Sequence, residues 1–148
     1  MPNTVHVLNG PNLNLLGERE PHIYGAETLA DIEARTLDRA ARHALDIVFR
    51  QSNHEGVLVD WIQEARAEKA AAIVINGAGL TFYSIAILNA LQAYDGIIIE
   101  IHLSNPQRRE AIYHDSLISK IATGVIEGFL GDTYELAIEA VALRLRRG

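Results

Sequence analysis

The chain has 148 residues, no cysteine, and 13 Lys and Arg against 19 Asp and Glu, for a formal net charge of −6. That length is one domain's worth and long enough to bury a core without staples. The acidic balance argues against a nucleic-acid or anionic-membrane surface, and the missing cysteines remove disulfides, thiolate nucleophiles and zinc–thiolate sites together.

No stretch approaches a bilayer-spanning length, and the N-terminus, Met-Pro-Asn-Thr-Val, has neither a basic region nor a long apolar run. The expectation is an untargeted cytoplasmic protein that binds neither membranes nor nucleic acids.

In chain order, Thr4 to Leu8 reads as a buried strand. Leu8 to Gly25 then forms a long connection whose two prolines and three glycines suit neither helix nor strand. A first βα connection of this length reads as a lid or binding loop, anchored by Leu13, Leu15, Leu16 and Ile23. Thr28 is the predicted N-cap of an amphipathic helix through about His43, and Leu45 to Arg50 is the second strand. Ser52-Asn53-His54-Glu55 has the form of a capping box. It predicts a helix with Val57, Leu58, Trp61, Ile62 and Ala65 on its inner face.

Ala72 to Ile75 is uniformly apolar, as a parallel strand covered on both faces should be, and leads through Asn76-Gly77-Ala78-Gly79 to a helix near Tyr83 to Tyr94. Ile97 to His102 is the fourth strand. A polar loop from Leu103 to Ser116 follows, then a fifth strand near Ala122 to Ile126 and a last helix capped by Asp132 with Glu135. Strand and helix alternating in this way predict an α/β, flavodoxin-like, doubly wound sheet of five parallel strands in the order 2-1-3-4-5. Ligands of such sheets bind beyond the carboxyl ends of the strands, at the switch between strands one and three.

Polar residues cluster on that rim. Asn9, Asn12, Arg19 and Tyr24 follow strand one; Asn53, His54 and Glu55 follow strand two; Asn76 follows strand three; His102, Ser104, Asn105 and Arg109 follow strand four. Any single Asn here is more simply a strand-end residue satisfying loop amides. Glu100 and His102 share one strand face, so the carboxylate can fix the imidazole tautomer and leave His102 to move a proton. His22 and His43 read as solvated. No pair of histidines has metal-ligand spacing, so no metal is expected. Gly77-Ala78-Gly79 lacks the rest of a dinucleotide fingerprint, Asn9, Asn12 and Asn76 stand where a phosphoacceptor domain would want acidic residues, and the long first loop with Pro11 and Pro21 is not the Ser/Thr-rich phosphate loop of an FMN site, so no cofactor is expected.

The segments Val7 to Gly17, Arg19-Glu20-Pro21, Ile23-Tyr24-Gly25, Gln51 to Gly56, Glu100 to Asn105, Arg109-Glu110, Gly124-Val125-Ile126 and Gly128-Phe129 together resemble the type II dehydroquinases over nearly the whole chain. The resemblance implies a cofactor-free lyase that dehydrates 3-dehydroquinate to 3-dehydroshikimate by anti elimination through an enolate, on subunits assembled as dodecamers of trimers. It implies that Tyr24 is the base, Arg19 its activator, Asn12 a stabiliser of the enolate, and His102, oriented by Glu100, the group assisting loss of hydroxyl. Asn76 and the amides of Leu103 and Ser104 would hold the substrate carboxylate, with Arg109 also on the substrate. An unperturbed tyrosine titrates near about 10, so a tyrosine base near neutrality needs roughly 3 to 4 kcal/mol of help. One guanidinium at about 4 Å and an effective dielectric of about 20 supplies that much.

The chain departs from the family pattern at Phe82 in place of His, Asn89 in place of Asp and Tyr113 in place of Arg, with Gly77 in place of a frequent proline. In the family the first three meet the ring hydroxyls, the acidic one from a neighbouring subunit. Three readings follow in order: an active dehydroquinase with compensating contacts, a lyase for another cyclic carboxylate, and a non-catalytic binding or scaffold homologue.

Overall fold

The computed structural model describes residues 3–148; Met1 and Pro2 of the N-terminal segment lie outside the described residues. Strands β1 (Thr4–Asn9), β2 (Asp46–Gln51), β3 (Ala72–Asn76), β4 (Ile97–His102) and β5 (Gly124–Glu127) form one sheet in the order β2-β1-β3-β4-β5. Every pairing is parallel, as expected of a flavodoxin-like sheet. The helices are α1 (Pro21–Tyr24), α2 (Leu29–Ala41), α3 (Glu55–Ala67), α4 (Ile85–Gln92) and α5 (Asp132–Arg147).

Both faces of the sheet are covered, which is why β1 and β3 are buried along their whole length. Val5, Val7, Val74, Ile99 and Ile101 pack with Ile32 of α2 and Ile138 and Val141 of α5. Leu8, Ile73, Ile75 and Ile98 pack on the opposite face with Leu58 and Ile62 of α3 and Ile87 and Leu91 of α4. Among the described residues no helix is long and apolar enough to cross a membrane.

The register aligns Asn9 at the end of β1 with Asn76 at the end of β3 and with Gln51 at the end of β2. The polar rim is therefore level across three strands. Gly10 lets the chains leaving β1 and β3 touch, since a Cβ there would stand 2.5 Å from the Gly77 carbonyl oxygen.

Some local signals decide the structure and others lose to distant partners. Thr28 caps α2 as expected. Its hydroxyl accepts from the Asp31 amide at 3.2 Å while the Asp31 carboxylate accepts from the Thr28 amide at 3.1 Å. The box expected at Ser52 to Glu55 does not form: α3 starts at Glu55 with His54 as an N-cap lacking a side-chain bond. Ser52 Oγ accepts from the His54 amide at 3.0 Å, and the Glu55 carboxylate accepts from Ser84 Oγ at 2.5 Å. That same Ser84 caps α4 by accepting from the Ile87 amide, so α4 starts after Tyr83 and is shorter than expected.

Asp132 and Glu135 likewise do not cap α5, whose N-cap is Gly131. Both carboxylates pair with Arg35 of α2, and Glu135 also meets Arg39 at 2.7 Å. His43, expected to be solvated, is half-buried and 2.7 Å from Glu139 of α5. His22 is exposed.

Candidate active site

The long connection after β1 is ordered by its own turns. A 3-10 turn at Leu13–Leu15 is followed by α1, and Leu13 and Leu16 are buried in the core, whereas Leu15 is exposed. Residues after β2 hold the base of this loop: Asn53 Oδ1 accepts from the Asn12 amide at 2.9 Å, and Gln51 Nε2 donates to the Gly10 carbonyl at 3.1 Å. Asn12 itself is left-handed, at φ 72°, a conformation asparagine tolerates better than most residues.

The loop forms one wall of a cavity of about 250 Å³ at the carboxyl end of the sheet, to which it contributes Asn12, Arg19 and Tyr24. Asn76 and, beyond it, His102, Leu103 and Ser104 line the strand ends; Phe82, Arg109 and Tyr113 close the far side. Two residues of the expected site stay off its surface. Glu100 lies behind His102, and Asn89 stands on the exposed side of α4.

The Tyr24 hydroxyl accepts a hydrogen bond of 2.8 Å from Arg109 Nη1. Arg19, expected to activate Tyr24, lies over the Tyr24 ring at 5.1 Å from its centroid and is 3.4 Å from Glu20. Two guanidiniums thus flank one phenol, since Arg109 is also 5.3 Å above the ring. Tyr113 carries Arg109 on its own face at 4.3 Å.

His102 Nε2 is 2.5 Å from Glu100 Oε2, as the shared strand face predicts, which leaves Nδ1 for the other edge of the ring. Ser116 Oγ donates to the same carboxylate at 2.7 Å, and Ser119 Oγ donates to its second oxygen. Burial alone pushes the Glu100 carboxyl up, but the bonds from His102, Ser119 and Ser116 outweigh it and hold it below the usual range. Glu100 is therefore a buried anion facing His102. Neither serine was singled out from the sequence, where a Ser-x-x-Ser spacing beside a loop names no partner.

Phe82 stacks on His102 with centroids 6.0 Å apart and meets Tyr113 edge-on at 5.5 Å. The far side is thus aromatic. Outside the cavity, His6, Glu64 and Glu68 bring potential metal-ligand atoms within 4.8 Å of one another. Arg50 lies 2.6 Å from Glu64, so a fixed cation already sits at that cluster.

The arrangement presents a phenol in guanidinium contact and a carboxylate-backed imidazole to one small cavity. A family model described as dehydroquinase class II matches residues 3–142. The chain belongs to that family.

A dehydroquinase relative from Caulobacter vibrioides, named 3-dehydroquinate dehydratase, is 55% identical over 140 residues, covering 95% of each chain. One of the same name from Phenylobacterium zucineum is 55% identical over 142 residues, covering 96% of this chain and 97% of its own. Among solved structures, the type II dehydroquinase from Propionibacterium acnes superposes with a TM-score of 0.92 at 40% identity, covering 97% of this chain and 98% of that one. A 3-dehydroquinate dehydratase-like protein from Bifidobacterium longum gives 0.74 at 32% identity, covering 97% and 98%.

Proposed function

We propose that this dehydroquinase-family chain is a hydro-lyase converting 3-dehydroquinate to 3-dehydroshikimate in the shikimate pathway, with no cofactor. The observation that carries the reading is the pairing of Tyr24 with Arg109 and of His102 with Glu100 on one cavity. Tyr24, as the phenolate, takes the proton beside the ketone, and the electron pair moves onto the ketone oxygen to give an enolate. The Asn12 side chain stabilises that oxyanion. Collapse of the enolate breaks the C–O bond on the opposite face, and His102 gives the departing hydroxyl the proton that makes it water.

Arg109 donates to the oxygen of Tyr24 and Arg19 lies across its ring, so both guanidiniums contact the group that takes the proton. Asn76 and the amides of Leu103 and Ser104 hold the substrate carboxylate. The direct test is to add 3-dehydroquinate to the protein and follow the absorbance of the conjugated enone product. Steady growth of that band at catalytic protein concentration is expected; its absence refutes the reading.

A second reading, a lyase for a less hydroxylated cyclic carboxylate, is favoured by the aromatic far side formed by Phe82 and Tyr113. Their rings offer apolar surface where hydroxyl groups would want partners. Comparing kcat/KM for 3-dehydroquinate with that for ring carboxylates lacking one hydroxyl decides between the two.

Residues 1–148 are read as one domain that assembles as a homo-oligomer, a dodecamer built from trimers. Exposed Tyr83 and Ile112, next in sequence to the cavity residues Phe82 and Tyr113, and exposed Ile85 supply apolar surface for such contacts. The cysteine-free composition suits, without requiring, a reducing compartment, and we place the protein in the cytoplasm.

A further inference from the structure

A run of buried hydrogen bonds passes beneath the cavity with both ends on backbone groups of fixed polarity. At one end Asn9 Nδ2 donates to the Arg50 carbonyl at 2.9 Å, which turns Asn9 Oδ1 toward the Tyr134 hydroxyl at 2.5 Å. Because that hydroxyl spends its proton on Asn9, its oxygen is left to accept from Asn76 Nδ2, at 3.1 Å. At the other end Asn76 Oδ1 accepts from the Ala78 amide at 3.3 Å. An amide cannot be assigned by shape alone, but a run pinned by a carbonyl at one end and an N–H at the other has one consistent polarity.

We propose that Tyr134 is a positioning residue of the cavity's anion-binding end, holding the Asn76 side chain in the one orientation that offers its second N–H to a bound carboxylate. This rests on the reading that Asn76 meets the substrate carboxylate. Tyr134 reaches the site from α5, and it is 1% exposed, so its hydroxyl has no solvent to turn to. Burial pushes that hydroxyl's pKa up, partly offset by the bond from Asn76, so it stays a neutral donor over the working pH range. Asn76 is 3% exposed, and its carbonyl oxygen and one N–H are committed inside the fold. The uncommitted N–H is the polar function its side chain has left for a ligand, and it matches a carboxylate, which only accepts. Without Tyr134 the amide is held at one end only, and a turned Asn76 would offer a carbonyl oxygen that repels an anion.

The test is Tyr134→Phe, which removes one oxygen from a ring that otherwise packs as before. KM for 3-dehydroquinate is expected to rise about tenfold with kcat within about twofold, as loss of binding to a carboxylate predicts. In an Asn76→Ala background the same substitution should add nothing further to KM. An unchanged KM in the single variant, or an equal rise in both backgrounds, overturns the proposal, whereas a merely structural role lowers the unfolding midpoint alone. The second measurement uses the unaltered protein and does not depend on turnover. Titrating cyclohex-1-enecarboxylate into nitrogen-15-labelled protein should shift one of the two Asn76 side-chain amide protons and leave the other in place. Both protons unmoved, or both moved alike, contradict the proposal. A protein that shows this shift yet fails to turn over 3-dehydroquinate refutes the substrate reading and leaves the Tyr134 inference standing.

Discussion

Arg109 and Tyr24 lie 85 residues apart in sequence, and the guanidinium Nη1 of one donates to the hydroxyl of the other at 2.8 Å. The phenol oxygen is thus held by a residue from the loop after β4, while the arginine of its own loop, Arg19, packs on its ring. Arg109→Ala is therefore expected to lower kcat by about one to two orders of magnitude, the worth of a charge-assisted hydrogen bond in a transition state. Arg19→Ala should cost less. Steady-state kinetics of the two variants check this, and a larger loss from Arg19→Ala would reverse the assignment.

The imidazole depends on its backing. Glu100→Gln keeps the size of the side chain but removes the charge and turns an N–H toward a group that donates to it, so kcat should fall by about tenfold to a hundredfold. Ser119→Ala, which strips one of the bonds to the carboxylate, should cost less and should move the acid limb of the kcat pH profile. A Glu100→Gln enzyme with wild-type kcat and an unchanged pH profile would leave His102 acting without its carboxylate.

Stability should fall on acidification. Glu100, Glu135 and Glu139 are all held below the usual carboxylate range: Glu100 against its own burial by His102 and two serines, Glu135 against burial by Arg39 and Arg35, and Glu139 chiefly by the bond from His43. A carboxyl depressed in the folded state binds its proton later than in the unfolded chain, so its contribution is whole above the ordinary range near ~4 and lost as pH drops through the lower folded value. The urea midpoint should be flat from about pH 7 to about pH 5 and decline below about pH 4. Glu135→Gln should lower the plateau and flatten that decline; a decline of unchanged steepness would remove the α2–α5 network from the explanation.

The layered sheet was legible because its signals are local. Ala72 to Ile75 is apolar without interruption, and Thr28 finds its capping partner three residues away in Asp31. The capping pattern at Ser52 failed because Ser84, from another segment, claims Glu55, and the one at Asp132 failed because Arg35 claims that carboxylate. The same limit applied at the site. Glu100 and His102 could be paired from strand periodicity alone, whereas Tyr134 under Asn76 and Arg109 on Tyr24 are contacts between segments far apart in sequence that no local pattern encodes.

The proposed function gives the far side of the cavity a part in substrate preference. The type II pattern has His, Asp and Arg where this chain has Phe82, Asn89 and Tyr113, and a lost hydrogen bond to a charged partner costs roughly 1.5 to 3 kcal/mol. Phe82→His should therefore raise kcat/KM for 3-dehydroquinate. Tyr113→Arg alone should not, because it removes the ring beneath Arg109 and sets a second guanidinium against it. Asn89→Asp alone should change nothing within one subunit, since position 89 is off the cavity. Measuring kcat/KM singly and together decides it, and a gain from Tyr113→Arg alone would show that Arg109 does not need its stacking partner.

The claim on which the rest depends is that the Tyr24 hydroxyl performs the proton abstraction. Tyr24→Phe removes that oxygen and keeps the ring in contact with the two guanidiniums, so the unfolding midpoint should stay within a few degrees while turnover of 3-dehydroquinate falls by at least about three orders of magnitude. Both are measured on one preparation. A folded Phe variant that retains near-wild-type turnover would make Tyr24 a packing residue and contradict the mechanism.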